Sequence, residues 1–124
     1  MQMDYKDSAF KSTWNKGVLR IRIRSVNENT FDLMRIILDA AVEHDKFNLA
    51  IDARELETLS FRQLWSMGNF ASEIKYKISS YVSKISLLIP VKYHRSVGWI
   101  MRYMGPDCPY YITENVNDAK HFVM

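Results

Sequence analysis

The chain has one cysteine, four glycines and three prolines in 124 residues. A lone cysteine excludes a disulfide framework and a multi-cysteine zinc site. So little glycine and proline excludes collagen-like and low-complexity chains. The four glycines, at positions 17, 68, 98 and 105, never cluster, so there is no glycine-rich phosphate loop. The longest apolar run, Ile85 to Val91, is interrupted by Ser86 and Pro90. It falls far short of the ~20 residues that cross a bilayer. The first residues, Met1-Gln2-Met3-Asp4-Tyr5-Lys6-Asp7, are charged and lack the apolar core of a secretory signal. The three histidines, His44, His94 and His121, have no metal-ligand spacing. Neither sign of charge dominates: 17 basic against 14 acidic residues give a net +3, spread along the chain. A dedicated nucleic-acid binder shows one clustered basic face instead. These absences together lead to the expectation of a cytoplasmic protein with no metal, cofactor, nucleic-acid partner or membrane span.

What is present fits a globular fold. Hydrophobic residues make up 48% and charged residues 25%. A chain of this length buries roughly two thirds of its unfolded surface, enough for one self-sufficient domain. We read a single domain over 1–124, with 1–7 as a loose N-terminal segment. Residues 8–14 alternate weakly, and Asn15-Lys16-Gly17 reads as a tight hairpin turn. In the next stretch Leu19, Ile21 and Ile23 face one way and Arg20, Arg22 and Arg24 the other, as in a strand with one buried and one basic face. A helix is expected over 27–45, capped by Asn29 or Thr30, with Phe31, Met34, Ile37, Leu38 and Ala41 as its apolar stripe. His44 would then sit at its C-terminal dipole. A strand follows over 46–52. A second helix starts at Ser60, which forms a capping box with Gln63. A strand over 84–89 is stopped by Pro90. A third helix covers 93–104 and is closed by Gly105-Pro106. Tyr110 to Ile112 is a last strand, and Asn115 or Asn117 caps a closing helix. The order β-β-α-β-α-β-α-β-α is an α/β fold with a mixed, mostly parallel sheet that begins with a β-hairpin.

That order, with the strand Phe47-Asn48-Leu49-Ala50-Ile51-Asp52-Ala53-Arg54 ending in an Asp-Leu-Arg-type turn, resembles the STAS superfamily of anti-sigma-factor antagonists. The helix holding Leu64-Trp65, the strand Ile85 to Ile89 and the tail from Asn117 to Val123 extend the likeness over 8–124. It is nearest to the SpoIIAA-like branch, which is akin in fold to the lipid-binding CRAL-TRIO domains. The resemblance implies a regulatory or protein-interaction module that meets its partner through the second helix and the loop before it. STAS phosphoswitch proteins carry Asp-Ser-Ser/Thr-Gly at the start of that helix. Here the stretch is Glu57-Thr58-Leu59-Ser60-Phe61-Arg62, with neither the glycine nor the serine pair, so no phosphoswitch is expected.

Several residues carry candidate chemistry. Asp52 ends a buried strand, where open α/β sheets place their ligands, but reads first as the residue that forms the turn by accepting from backbone amides of the next loop. With Arg54 and Ser60 it would form the centre of a small-ligand site. Cys108, between Asp107 and Pro109, reads as an ordinary loop cysteine; a catalytic role would need a base such as His94, with Arg95, beside it in space. Arg20, Arg22 and Arg24 are solvated or meet an anionic partner. Lys92, His94, Arg95 and Arg102 form a second basic group, interleaved with Tyr93, Trp99 and Tyr103, whose helical spacing favours core packing. Seven methionines suggest adaptable core filling or a Met-lined pocket. On the second helix Phe61, Leu64, Ala71 and Ile74 fit one core-facing side. Trp65, Met67 and Phe70 widen it beyond the ~100° one buried face needs. These three are candidate partner contacts, including contacts in a homodimer. No nucleophile with an adjacent base can be assembled, so no enzymatic activity is expected. The alternative function is a small carrier of an apolar or anionic, lipid-like ligand.

Overall fold

A computed structural model describes residues 3–56 and 58–124. Met1 and Gln2 lie outside them. So does Glu57, the first residue of the stretch compared with the phosphoswitch motif. Six strands form one mixed sheet in sequence order: β1 (Tyr5–Lys6), β2 (Phe10–Asn15), β3 (Val18–Ile23), β4 (Phe47–Asp52), β5 (Val82–Leu88) and β6 (Tyr110–Thr113). The first three pair antiparallel and β3 through β6 pair parallel. Four α-helices lie among the described residues: α1 (Glu28–Ala41), α2 (Phe61–Ser79), α3 (His94–Tyr103) and α4 (Val116–Val123). A single 3-10 turn at Val91–Tyr93 leads into α3.

The strand order dictates where the helices go. Each step from β3 to β6 moves one strand further in the same direction. Right-handed crossovers therefore put α1, α2 and α3 on one face of the sheet. Met34, Ile37, Leu38, Phe70, Ile78, Val97 and Met101 from these helices form one core with Leu19, Ile21, Leu49, Ile85 and Leu87. Helix α4 follows the last strand, is no crossover, and packs on the opposite face. There the Asn48 side-chain amide donates to the Val123 carbonyl at 2.6 Å.

The register keeps the two faces chemically distinct. Ser12, Ile21, Ile51, Leu87 and Ile112 form a row on the core face. The adjacent rows point the other way: Thr13, Arg20, Ala50, Ser86 and Tyr111, then Lys11, Arg22, Asp52, Leu88 and Thr113. The arginine stripe foreseen in β3 is therefore the polar face of the sheet.

Three local details differ from the sequence reading, and a fourth selects between two caps that it left open. The segment expected to be loose supplies the edge strand β1. The Asp7 carboxylate holds the bend after it, accepting from the Ala9 and Phe10 amides at 2.7 and 2.8 Å and from the Tyr5 hydroxyl at 2.9 Å. The cap of α1 is Asn27, not Asn29 or Thr30. Thr30 instead completes a reciprocal capping box with Asn27 and donates its hydroxyl to the Ser25 carbonyl at 3.0 Å. The helix then ends at Ala41, and His44, beyond its last turn, stacks on Trp14 with ring centres 5.3 Å apart. For α4 the cap is Asn115, which accepts from the Asp118 amide at 3.1 Å.

The β2–β3 hairpin turns through two residues with positive φ, Lys16 at 52° and Gly17 at 75°. Positive φ at both central positions is the type I′ geometry for which Asn-Gly is preferred. Glycine suits its position, whereas Lys16 bears part of the roughly 1–2 kcal/mol that an L-residue loses in the left-handed region. Lys16→Asn is expected to raise the calorimetric midpoint by the equivalent of about 0.5–1 kcal/mol. An unchanged or lower midpoint would contradict the turn assignment.

Candidate functional site

The sequence-predicted residues separate into two places on opposite sides of the sheet. Asp52 ends β4 on the polar face. Its carboxylate takes a bidentate pair from the Arg54 guanidinium, at 3.0 Å to Nε and 2.9 Å to Nη2, and also accepts from the Arg54 amide at 3.2 Å. It thus forms the turn and holds the arginine in one geometry. Burial pushes the Asp52 carboxyl upward. The hydrogen bonds and charge of Arg54, with the charge of Arg22, outweigh burial and leave it below the ordinary carboxylate value. Both residues line a concavity of about 270 Å3 over the sheet, walled by α4. Beside it Arg22 and Arg24 share the Glu55 carboxylate.

Ser60 does not join that site. Its hydroxyl accepts from the Gln63 amide at 3.1 Å, and Gln63 Oε1 accepts from the Ser60 amide at 2.8 Å, which completes the expected capping box. Gln63 also donates to the Val26 carbonyl at 3.1 Å. The preceding residue is fixed too, since the Leu59 amide donates to the Tyr93 hydroxyl at 2.7 Å. Ser60 therefore anchors the start of α2 and does not extend the Asp52 and Arg54 cluster.

The apolar excess of α2 resolves into two stripes. Met67, Phe70, Ala71, Ile74 and Ile78 face the core and border a wholly apolar void of about 120 Å3 that Met34 and Met101 also line. Phe70 is only 6% exposed and stacks on Phe31 with ring centres 5.2 Å apart. Phe70 is thus no surface contact, while Met67 is half-buried. Their side of the helix covers the sheet at α1, where Arg35 meets Glu73 at 2.5 and 2.9 Å.

The other stripe corrects the placement of Phe61, which is 81% exposed and not core-facing. It stacks on Trp65, itself 58% exposed, with ring centres 6.4 Å apart. Across the groove from them stands Trp99 of α3, 55% exposed and packed on Tyr103 at 5.3 Å. Trp99 and Tyr103, expected in the core by their spacing, are surface residues. Only Tyr93 of that trio is buried. Phe61, Leu64, Trp65 and Trp99 line a groove of about 360 Å3 whose floor holds Gly68 and Met104. A Cβ at Gly68 would lie 2.9 Å from the Met104 sulfur, so the flexible Met104 thioether packs directly against the glycine.

The exposure of Trp99 was recoverable from the sequence. Val97, Ile100, Met101 and Met104 already complete the core side of α3, which leaves Trp99 and Tyr103 outside it. Of the remaining candidates, the His94 ring contacts the Ile89 carbonyl at 3.0 Å. Burial and then the Asp107 charge push the Cys108 thiol above its ordinary value, so it stays protonated and a poor nucleophile. Among the described residues no three His, Cys, Asp or Glu side chains gather where they could hold a metal ion. No helix there is long and apolar enough to cross a membrane. Compared with known proteins, the chain matches no family model, no curated protein and no solved structure.

Two outcomes follow for this region. Ser60→Ala is expected to lower stability by about 1 kcal/mol through loss of the helix cap, read from denaturant midpoints. A loss near zero would mean that Gln63 alone holds the turn. For Asp52, the folded carboxyl titrates below its unfolded value. Its stabilisation is therefore present above the ordinary carboxylate range and is lost as pH falls through and below it. Urea midpoints taken from about pH 6 to about pH 3 should fall in the wild type and fall less in Asp52→Asn. Parallel curves would show that the pair with Arg54 adds nothing to stability.

Proposed function

We propose that the protein is a non-enzymatic interaction module that docks an acidic, amphipathic segment of a partner protein in the groove between α2 and α3. The observation that carries this reading is the exposure of Phe61, Trp65, Trp99 and Tyr103 side by side on two adjacent helices. Large aromatic groups in a pre-formed groove are the usual anchors of protein recognition, and a monomer gains nothing by leaving them in water. The nature of the occupant follows from the flanks. Arg62 lies one helical turn from Trp65, Arg95 one turn from Trp99, and the Arg102 guanidinium sits 5.4 Å from the Tyr103 ring centre. None of these arginines has an ion-pair partner among the described residues. Two such basic rims facing each other across a two-fold axis would repel, which disfavours a homodimer through this face. An acidic helix with one apolar side complements it.

Kinship with the STAS superfamily belongs to the same proposal, supported by the hairpin followed by alternating parallel strands and helices. So does action from the loop and helix that follow Asp52. The carrier alternative has less support. The void lined by Met34, Met67 and Met101 is about 120 Å3. That is near the 150 Å3 scale that admits benzene, and too small for an acyl chain.

The test combines sedimentation with a fluorescence titration of a synthetic helical peptide bearing leucine on one side and glutamate on the others. The wild type is expected to sediment as a monomer and bind the peptide saturably. Trp65→Glu should stay folded and bind at least about ten-fold more weakly, the loss of an anchor worth about 1.4 kcal/mol or more. Phe70→Glu should unfold the protein. A wild-type dimer that Trp65→Glu dissociates would assign the groove to a second copy, and equal peptide binding by Trp65→Glu would end the reading.

A further inference from the structure

The concavity on the opposite face of the sheet is built for an anion. Its lining carries five cations, Lys11, Arg20, Arg22, Arg54 and Lys120, against the single carboxylate of Asp52. Asp52 is already satisfied by Arg54. Arg22 shares Glu55 with Arg24, so two guanidinium groups divide one negative charge. Arg20, Lys11 and Lys120 have no ion-pair partner among the described residues. Cations gathered over the low-dielectric floor of a sheet create a strong local positive potential.

A second, independent observation points to a ligand. Ser86 is 1% exposed and lines the same concavity. Among the described residues its hydroxyl has no hydrogen-bond partner, and neither does the buried Nε of Arg22. The register sets Ser86 in one row with Ala50 and Arg20 and next to the row of Arg22 and Asp52. A buried hydroxyl and a buried guanidinium N–H left unpaired lose the hydrogen bonds that water would give them. Both are donors, and both belong to the surface where positive charge is uncompensated.

We propose that this concavity binds a small organic oxyanion, a phosphate monoester or a carboxylate. Arg20 and Arg22 hold its charged oxygens, Ser86 donates to one of them, and Ala50, Leu88 and Ala119 contact its apolar part. Guanidinium groups suit such oxygens because their N–H fork matches the oxygen spacing. The volume of about 270 Å3 lies just below the ordinary range of small-molecule sites, so the ligand has metabolite or headgroup dimensions. The site faces away from the α2–α3 groove and does not depend on what the groove binds.

Amide and arginine side-chain NMR shifts, followed at constant ionic strength, provide the test. The probes are glycerol 3-phosphate, benzoate and, as an uncharged control, glycerol. Co-sedimentation with phosphatidic acid vesicles, against phosphatidylcholine vesicles, separates a membrane headgroup from a free phosphate or carboxylate. Saturable shifts at Arg20, Arg22 and Ser86 with either soluble anion, or vesicle binding that requires phosphatidic acid, support the site. Either response should weaken at least about five-fold in Arg20→Gln and in Ser86→Ala, and persist in Trp65→Glu. Ser86→Ala should also melt no lower than the wild type without ligand, because its hydroxyl makes no bond to lose. A lower melting point would show that hydroxyl satisfied within the fold and would overturn the proposal. So would the absence of saturable binding to every probe, or binding equal in Arg20→Gln.

Discussion

The handedness of the β-α-β crossovers is the constraint on which the rest of the molecule depends. Strands β3 to β6 lie side by side in sequence order, so right-handed connections commit α1, α2 and α3 to the same face. Three helices seal that face into a single core. The other face is left with α4 alone, eight residues long, which reaches over β4, β5 and β6. It cannot also cover β2 and β3. The uncovered strands therefore present polar residues to solvent, and Lys11, Thr13, Arg20 and Arg22 stand there. A basic concavity beside a short terminal helix is the consequence of covering a six-stranded sheet unequally.

The same crowding accounts for the aromatic groove. With three helices on one face, α2 must meet the sheet, α1 and α3. Its sheet-facing stripe runs through Met67, Phe70, Ala71 and Ile74, and the Arg35 pair with Glu73 fixes it to α1. What remains toward α3 is its first half, Phe61, Leu64, Trp65 and Gly68. At Gly68 the Met104 side chain fills the space between the two helices. Phe61, Leu64, Trp65 and Trp99 line the groove beside it. The apolar surplus of α2 thus divides by face: Phe61, Leu64 and Trp65 line the groove, and Phe70, Ala71, Ile74 and Ile78 face the core.

Much of this was legible in the sequence because it depends on short-range rules. The alternation of Leu19, Ile21 and Ile23 with Arg20, Arg22 and Arg24 named both faces of β3. Ser60 with Gln63 marked the start of α2, and Asn15-Lys16-Gly17 the hairpin. Caps were misjudged where two polar residues competed, as at Asn27 against Asn29, since either side chain can reach an amide two or three residues on. The edge strand β1 was illegible because two exposed residues carry no periodicity, and its position comes from Asp7 and from pairing with β2. Phe61 and Trp99 were misplaced because a helical stripe shows which residues share a side, not which side a distant helix will cover. Ser86 drew no attention for a related reason. Inside an apolar run a serine reads as a tolerated core residue, and only the register across β3, β4 and β5 sets it among arginines.

Alternation also separates the two candidate surfaces energetically. Ile51 and Leu87 belong to the core that supports α2, while their neighbours Asp52 and Ser86 face the basic concavity. A side chain on a strand serves one face only, so a substitution on the polar face leaves the packing under α2 untouched unless it bends the strand. The ends of β4 and β5 are where coupling could be transmitted. The Ala53 amide donates to the Leu88 carbonyl at 2.8 Å, and the loop from there leads to Leu59, held by the Tyr93 hydroxyl at the entry to α3. These two hydrogen bonds tie the chain after Asp52 to β5 and the residue before Ser60 to the entry of α3. The two surfaces should therefore act independently unless an anion draws Arg54 away from Asp52 and releases the turn.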